Sequence, residues 1–149
     1  MGNMTKILLV EDNEGDIVLT RRALSNAKME NNINVVRDGE EALMYLRKKG
    51  IFQDAETPDL ILLDINLPKI DGMEVLIQIK NDATLRTIPV VMLTTSDSEK
   101  DIFDAYSNYA NWYITKPKDF NKFMEIVQAI KDCLVSIVKF PAHKASTDQ

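Results

Sequence analysis

Five polar positions in this chain have residue types that could do chemistry together: the acid pair Glu11 and Asp12, the carboxylate Asp64, the hydroxyl Thr94 and the cation Lys116. Each follows or closes a short apolar run. If all five meet, the charge balance limits what they can be. Two carboxylates ~4 Å apart repel by about 4 kcal/mol at an effective dielectric of ~20. Three acids in one crevice therefore need a cation or raised pKa values. Lys116 supplies one positive charge, and a divalent metal would supply the rest. Mg²⁺ suits such a site, because it takes carboxylate oxygens, keeps several waters and favours phosphates. A carboxylate beside Mg²⁺ and a lysine, with a hydroxyl nearby, is a reasonable acceptor for a phosphoryl group. Taken singly, an Asp or Thr after a strand is more often a helix cap. The joint order of acid pair, acid, Thr and Lys at successive run ends is hard to produce by capping alone.

The elements that must position these residues alternate regularly. Lys6-Ile7-Leu8-Leu9-Val10 and Leu60-Ile61-Leu62-Leu63 are short apolar runs, the second bounded by Pro58 and Pro68. Runs of this length read as strands buried on both faces. A helix is expected from Asn13–Asp16 to about Ala27, with Ile17, Thr20, Leu24 and Ala27 on one face. Asn31 to Asn34 reads as loop and Val35-Val36 as a brief strand. Asp38 is the expected N-cap of a second helix carrying Ala42, Tyr45 and Leu46 and ending at the basic Arg47-Lys48-Lys49. Gly50 to Pro58 reads as a polar loop. A third helix is expected over Gly72–Asn81, a strand over Pro89–Leu93, a helix over Ser98–Ser107 and a strand around Trp112–Thr115. The last helix should begin near Asp119, with Phe120, Phe123, Val127, Ile130, Leu134 and Ile137 at helical spacing.

Five alternations without repeats predict an α/β fold, a doubly wound five-stranded parallel sheet with helices on both faces. In such sheets the crevice for chemistry lies at the carboxyl ends of the strands, at the switch point beside the first strand. The folded domain is expected over residues 5–140, and residues 141–149 read as a polar, disordered tail.

Composition narrows the class. The 149 residues, 45% hydrophobic and 28% charged, suit one globular domain. A net charge of -5 argues against direct nucleic-acid binding or a membrane-surface role, since both need a basic field. No apolar run approaches the ~18 residues of a membrane span. The early first strand leaves no room for a signal peptide, so the chain is expected in the cytoplasm. Met1-Gly2 invites a myristoylation check, but Lys6 stands where a hydroxyl is required. The single cysteine, Cys133, excludes an internal disulfide and is expected to be a small buried apolar residue.

These residues resemble the receiver domains of two-component response regulators, which have a flavodoxin-like (βα)5 fold with strand order 2-1-3-4-5. The resemblance covers about residues 5–136. It rests on Leu9-Val10-Glu11-Asp12, on Leu63-Asp64 with Leu67-Pro68 and Asp71-Gly72, on Pro89 to Thr94, and on Lys116-Pro117. It implies that Asp64 accepts a phosphoryl group from a histidine kinase. It also implies a Mg²⁺ site in which Asp12 ligates the metal directly, Glu11 holds one of its waters, and Asp64 and the Asn66 backbone carbonyl contribute oxygens. Thr94 would be the switch hydroxyl, Lys116 would bind a phosphoryl oxygen, and the Lys116–Pro117 bond would be cis. Tyr113 would be the aromatic that reports phosphorylation on the face of the fourth helix, fifth strand and fifth helix. The pair is Glu-Asp where many members have Asp-Asp. The loop over Gly50–Pro58 and Asn66-Leu67-Pro68-Lys69 is similar to small stand-alone regulators paired with phytochrome-type histidine kinases.

On this reading the chain is a switch rather than a turnover enzyme, with output through an unnamed downstream protein. A Mg-dependent phosphohydrolase on a similar sheet is the alternative, although its Asp-x-Asp pair would need an acid where Asn66 stands. A flavin module would need a hydroxyl- and Gly-rich loop where Glu11-Asp12-Asn13-Glu14 stand. A second stripe on the last helix, Ile126, Ala129, Cys133, Ile137 and Phe140, predicts a homodimer or partner surface there or on the neighbouring face.

Overall fold

The computed structural model describes residues 6–28, 32–116 and 119–147, with side chains of the last helix to residue 133. Strands β1 (Ile7–Val10), β2 (Ile33–Val36), β3 (Leu60–Leu63), β4 (Val90–Thr94) and β5 (Trp112–Thr115) alternate with five helices. These are α1 (Glu14–Asn26), α2 (Gly39–Arg47), α3 (Gly72–Lys80), α4 (Glu99–Ser107) and α5 (Phe120–Thr147). The sheet is parallel throughout and ordered β2-β1-β3-β4-β5, as expected.

Strand periodicity divides the core in two. Leu8, Val10, Ile61, Leu63, Val90 and Met92 point to one face and pack with α2 and α3 residues such as Ala42, Leu46, Leu76 and Ile79. Ile7, Leu9, Leu60, Leu62, Val91 and Leu93 point to the other and meet Ile17 and Leu24 of α1 and Phe123, Val127 and Ile130 of α5. The central strands need both faces covered, which is why their sequences are unbroken apolar runs. Chain progression reverses after β2, so right-handed crossovers put α1 and α2 on opposite faces. The reversal leaves a crevice between the carboxyl ends of β1 and β3.

Each of the first four helices starts on a side-chain cap. The carboxyamide Oδ1 of Asn13 accepts from the Asp16 N–H at 2.9 Å, and Asp38 Oδ1 accepts from Glu41 at 2.7 Å. Asp71 Oδ1 accepts from Glu74 at 3.0 Å, and Ser98 Oγ from Asp101 at 3.0 Å. The caps fix where each strand-to-helix loop ends, and three of these loops border the crevice.

Several expectations are corrected. β2 starts at Ile33 rather than Val35, because Ile7 and Leu8 of β1 supply pairing partners for Ile33 and Asn34. The loop from Gly50 contains a 3-10 turn at Gly50–Phe52, and the Phe52 ring packs on Tyr45 with centroids 5.4 Å apart. Cys133 is exposed instead of buried, because it lies off the α5 face that carries Val127 and Ile130 to the sheet. On the same second stripe Ile126 is partly buried and Ala129 exposed. The side chains of Leu134, Ile137 and Phe140 lie outside the described residues. The backbone of α5 is helical through Thr147.

Candidate functional site

All five polar positions lie at the carboxyl edge of the sheet, and Glu11, Asp12, Asp64 and Lys116 meet there through their side chains. Glu11 and Asp12 leave β1, Asp64 leaves β3, Thr94 closes β4 and Lys116 leaves β5. Backbone hydrogen bonds extend the sheet one step past its strands and set their heights. The Glu11 N–H donates to the Val36 carbonyl at 3.0 Å, Asp64 to Val10 at 3.2 Å, and Lys116 to Thr94 at 2.7 Å.

Lys116 is the hub. Its Nζ donates to Glu11 Oε1 at 2.5 Å, to Asp16 Oδ2 at 2.8 Å and to Asp64 Oδ2 at 3.5 Å. Its side chain is only 10% exposed, and those of Glu11 and Asp64 are 3% and 9% exposed. The second oxygen of Glu11 accepts from the Asn13 N–H at 3.2 Å, and Asp64 Oδ1 accepts from the Asn66 N–H at 3.4 Å. Burial lifts the Glu11 carboxyl from its ordinary 4.5 to about 7; Lys116 opposes the shift and the charge of Asp64 adds to it. Burial pulls the Lys116 ammonium down, but its bonds to Asp16 and Glu11 and the charge of Asp64 outweigh it and hold its pKa above the lysine value.

Carboxylate oxygens of Glu11, Asp12 and Asp64 all lie within 4.8 Å of one another, with Asp12 exposed and the other two buried. An all-oxygen donor set with one exposed side suits a hard divalent cation that keeps part of its water shell. It does not suit a soft metal, which would want thiolate or imidazole.

Thr94 is fully buried at the end of β4, the strand next to β3, and its Oγ1 accepts from the Ser96 N–H at 3.4 Å. The Tyr113 hydroxyl donates to the Ser96 carbonyl at 2.8 Å, and the Tyr113 N–H donates to the Tyr106 hydroxyl at 3.0 Å. The β4–α4 loop is therefore tied to Thr94 from one side and to Tyr113 from the other. Burial raises the Tyr113 phenol pKa, against the pull of its bond to Ser96. The expected cis bond involves Pro117, which lies outside the described residues.

Sequence reasoning missed two contributors. Asp16 lies in the segment expected to start α1, yet it is a direct partner of Lys116. The clue available was its place one turn beyond Asp12, which brings it back to the crevice edge. Gly39 packs on the loop after β3: a Cβ there would lie 1.9 Å from the Ile70 carbonyl oxygen. Nothing local in the sequence marks that contact.

Known proteins place this arrangement. A model of the response regulator receiver domain family matches residues 7–128. The chain is 40% identical over 136 residues to response regulator Rcp1 of Synechocystis sp., covering 91% of this chain and 92% of that protein. It is 46% identical over 127 residues to the probable methanogenesis regulatory protein FilR2 of Methanothrix harundinacea, covering 85% and 81%. The structure of the phosphorylated cyanobacterial phytochrome response regulator RcpA superposes with a TM-score of 0.84 at 49% identity, over 91% of this chain and 96% of that one. The Mn²⁺-bound form of Rcp1 gives 0.79 at 40% identity, over 85% and 91%. No helix among the described residues is long and apolar enough to cross a membrane. Fold, strand-end residues and sequence likeness agree: the chain belongs to the receiver domain family of two-component response regulators.

Proposed function

We propose that this protein is a phosphorylation-driven switch in which Asp64 accepts a phosphoryl group from a histidine kinase. The observation that carries the reading is the single Lys116 ammonium shared by Glu11, Asp16 and Asp64, beside three mutually close carboxylates. Asp64 is the one of these acids that stands between the acid pair and Thr94 in the strand order.

In the transfer, an Asp64 oxygen forms the new O–P bond as the P–N bond to the kinase imidazole breaks, and the imidazole leaves neutral, keeping the proton already on its other nitrogen. A Mg²⁺ ion held by Glu11, Asp12, Asp64 and the Asn66 carbonyl would neutralise charge on the phosphoryl oxygens. Lys116 neutralises another of those oxygens from the β5 side, where it already stands within 3.5 Å of Asp64. Thr94 then turns its hydroxyl to the acylphosphate, giving up its contact with the Ser96 N–H. That loosens the β4–α4 loop, and Tyr113 follows because its hydroxyl is bonded to the same Ser96. The chemistry is self-phosphorylation and self-dephosphorylation, with no turnover of outside substrates.

The donor is a sensor histidine kinase, and the likeness to phytochrome response regulators favours one of phytochrome type. Output goes to a protein partner or a second copy on the α4-β5-α5 face, where Phe103 and Tyr109 are 71% and 74% exposed. Incubation with a phosphorylated histidine kinase and Mg²⁺ should label the protein, and Asp64→Asn should abolish the label. Label retained at that position in Asp64→Asn would sink the assignment, and removal of Mg²⁺ with a chelator should stop transfer.

A further inference from the structure

Lys116 has three N–H bonds to give, and the structure distributes them unequally. Glu11 at 2.5 Å and Asp16 at 2.8 Å hold it closely, whereas Asp64 at 3.5 Å is at the outer limit of a hydrogen bond. Asp16 and Asp64 approach the ammonium from different elements, α1 and the end of β3. Asp16 is also firmly placed: its N–H donates to the Asn13 cap at 2.9 Å, which fixes the first turn of α1. The remaining partner, Glu11, has its other oxygen bonded to the Asn13 N–H and is buried, so it has little freedom to release or gain contact.

We infer that Asp16 is a positioning residue that competes with the Asp64 side of the site for Lys116. Resting on the acceptor reading above, it holds the ammonium back while Asp64 is bare and must release it when an anion on Asp64 needs the same N–H. The balance between the two phosphorylation states is thus set partly by a carboxylate outside the five strand-end positions. Asp16 is suited to this role because its side chain is 31% exposed, against 3% for Glu11. Water compensates Asp16 when Lys116 leaves, whereas an abandoned Glu11 carboxylate would remain buried without its cation.

The test is the affinity of the full chain for beryllofluoride in the presence of Mg²⁺, followed by fluorine NMR and calorimetry. Asp16→Ala and Asp16→Asn should each bind about two- to fivefold more tightly than the unsubstituted protein, the size of one partly exposed ion pair. Glu14→Gln removes an acid from the same helical turn, one that pairs with Arg37 rather than Lys116, and should leave the affinity unchanged. Unchanged or weaker binding in both folded Asp16 variants overturns the competition. An equal gain in Glu14→Gln also overturns it, since the effect would then be general charge removal. Absence of binding in the unsubstituted protein would instead remove the acceptor reading itself, so the two failures are distinguishable.

Discussion

Gly72 lies directly against the backbone of Asp64: a Cβ at position 72 would sit 1.9 Å from the Asp64 carbonyl oxygen and 2.7 Å from the Ile65 Cα. The Gly72 N–H donates to the Ile65 carbonyl at 2.7 Å, so α3 begins in contact with the chain leaving β3. Any side chain here must move the backbone that carries Asp64. Gly72→Ala is expected to cost about 3 kcal/mol or more of stability, the upper range for single substitutions. Urea unfolding would measure the loss. The folded fraction should also accept phosphate more slowly, because Asp64 and Asn66 shift together.

Lys116→Met should separate the cation's two duties. In phosphotransfer, the loss of one preorganised donor to a developing anion is expected to cost about 10²-fold in rate. Rapid-quench measurement with a phosphorylated kinase checks this. In the resting protein, Glu11 and Asp64 lose their shared cation, so the metal-free form should be the more destabilised one, and added Mg²⁺ should recover more stability than it does in the parent.

Glu11 gives a pH signature. Its carboxyl is raised to about 7 in the folded protein, against 4.5 as the reference value. Between these values the folded state holds a proton that the unfolded chain has lost, so this group's contribution to stability falls as pH rises from 4.5 to 7 and is level beyond. The melting temperature of metal-free protein should carry that decline. Mg²⁺ works in the opposite direction, because a proton on Glu11 opposes the cation. Its affinity should weaken by up to about tenfold per pH unit below 7. An affinity independent of pH between 5.5 and 8, on the order of the window set by the shift, would count against the Glu11 role.

Lys80 supports the opposite end of the sheet. Its Nζ donates to the Arg86 carbonyl at 3.0 Å, the Ile88 carbonyl at 2.9 Å and the Asn111 Oδ1 at 3.2 Å. Asn111 Oδ1 also accepts from the Val90 N–H at 2.8 Å, so this one lysine joins the end of α3 to the entries of β4 and β5. Burial lowers its pKa. Lys80→Met should destabilise by about 1–3 kcal/mol, the cost of leaving such acceptors unpaired, with phosphoryl acceptance unchanged. Chemical denaturation and kinase labelling of the same variant test both halves.

The sequence by itself determined the element order, the doubly wound sheet and which five polar residues stand at its carboxyl edge. Buried parallel strands must be apolar on both faces, so β1, β3 and β4 are visible as short runs, and the polar residue ending each run is visible with them. The cap at Asp38 was legible because capping is a local hydrogen bond over three residues. The exposure of Cys133 was not, since a helix pattern locates stripes but not the width of the face that packing covers. Tertiary structure alone decided that Asp16 belongs to Lys116, that Gly39 and Gly72 carry the loop after β3, and that Lys116 stands nearer to Glu11 and Asp16 than to Asp64. These are contacts between residues up to 105 positions apart. Periodicity encodes which face a residue takes, whereas the distances among three carboxylates and one ammonium depend on how strands, caps and loops meet at the sheet edge.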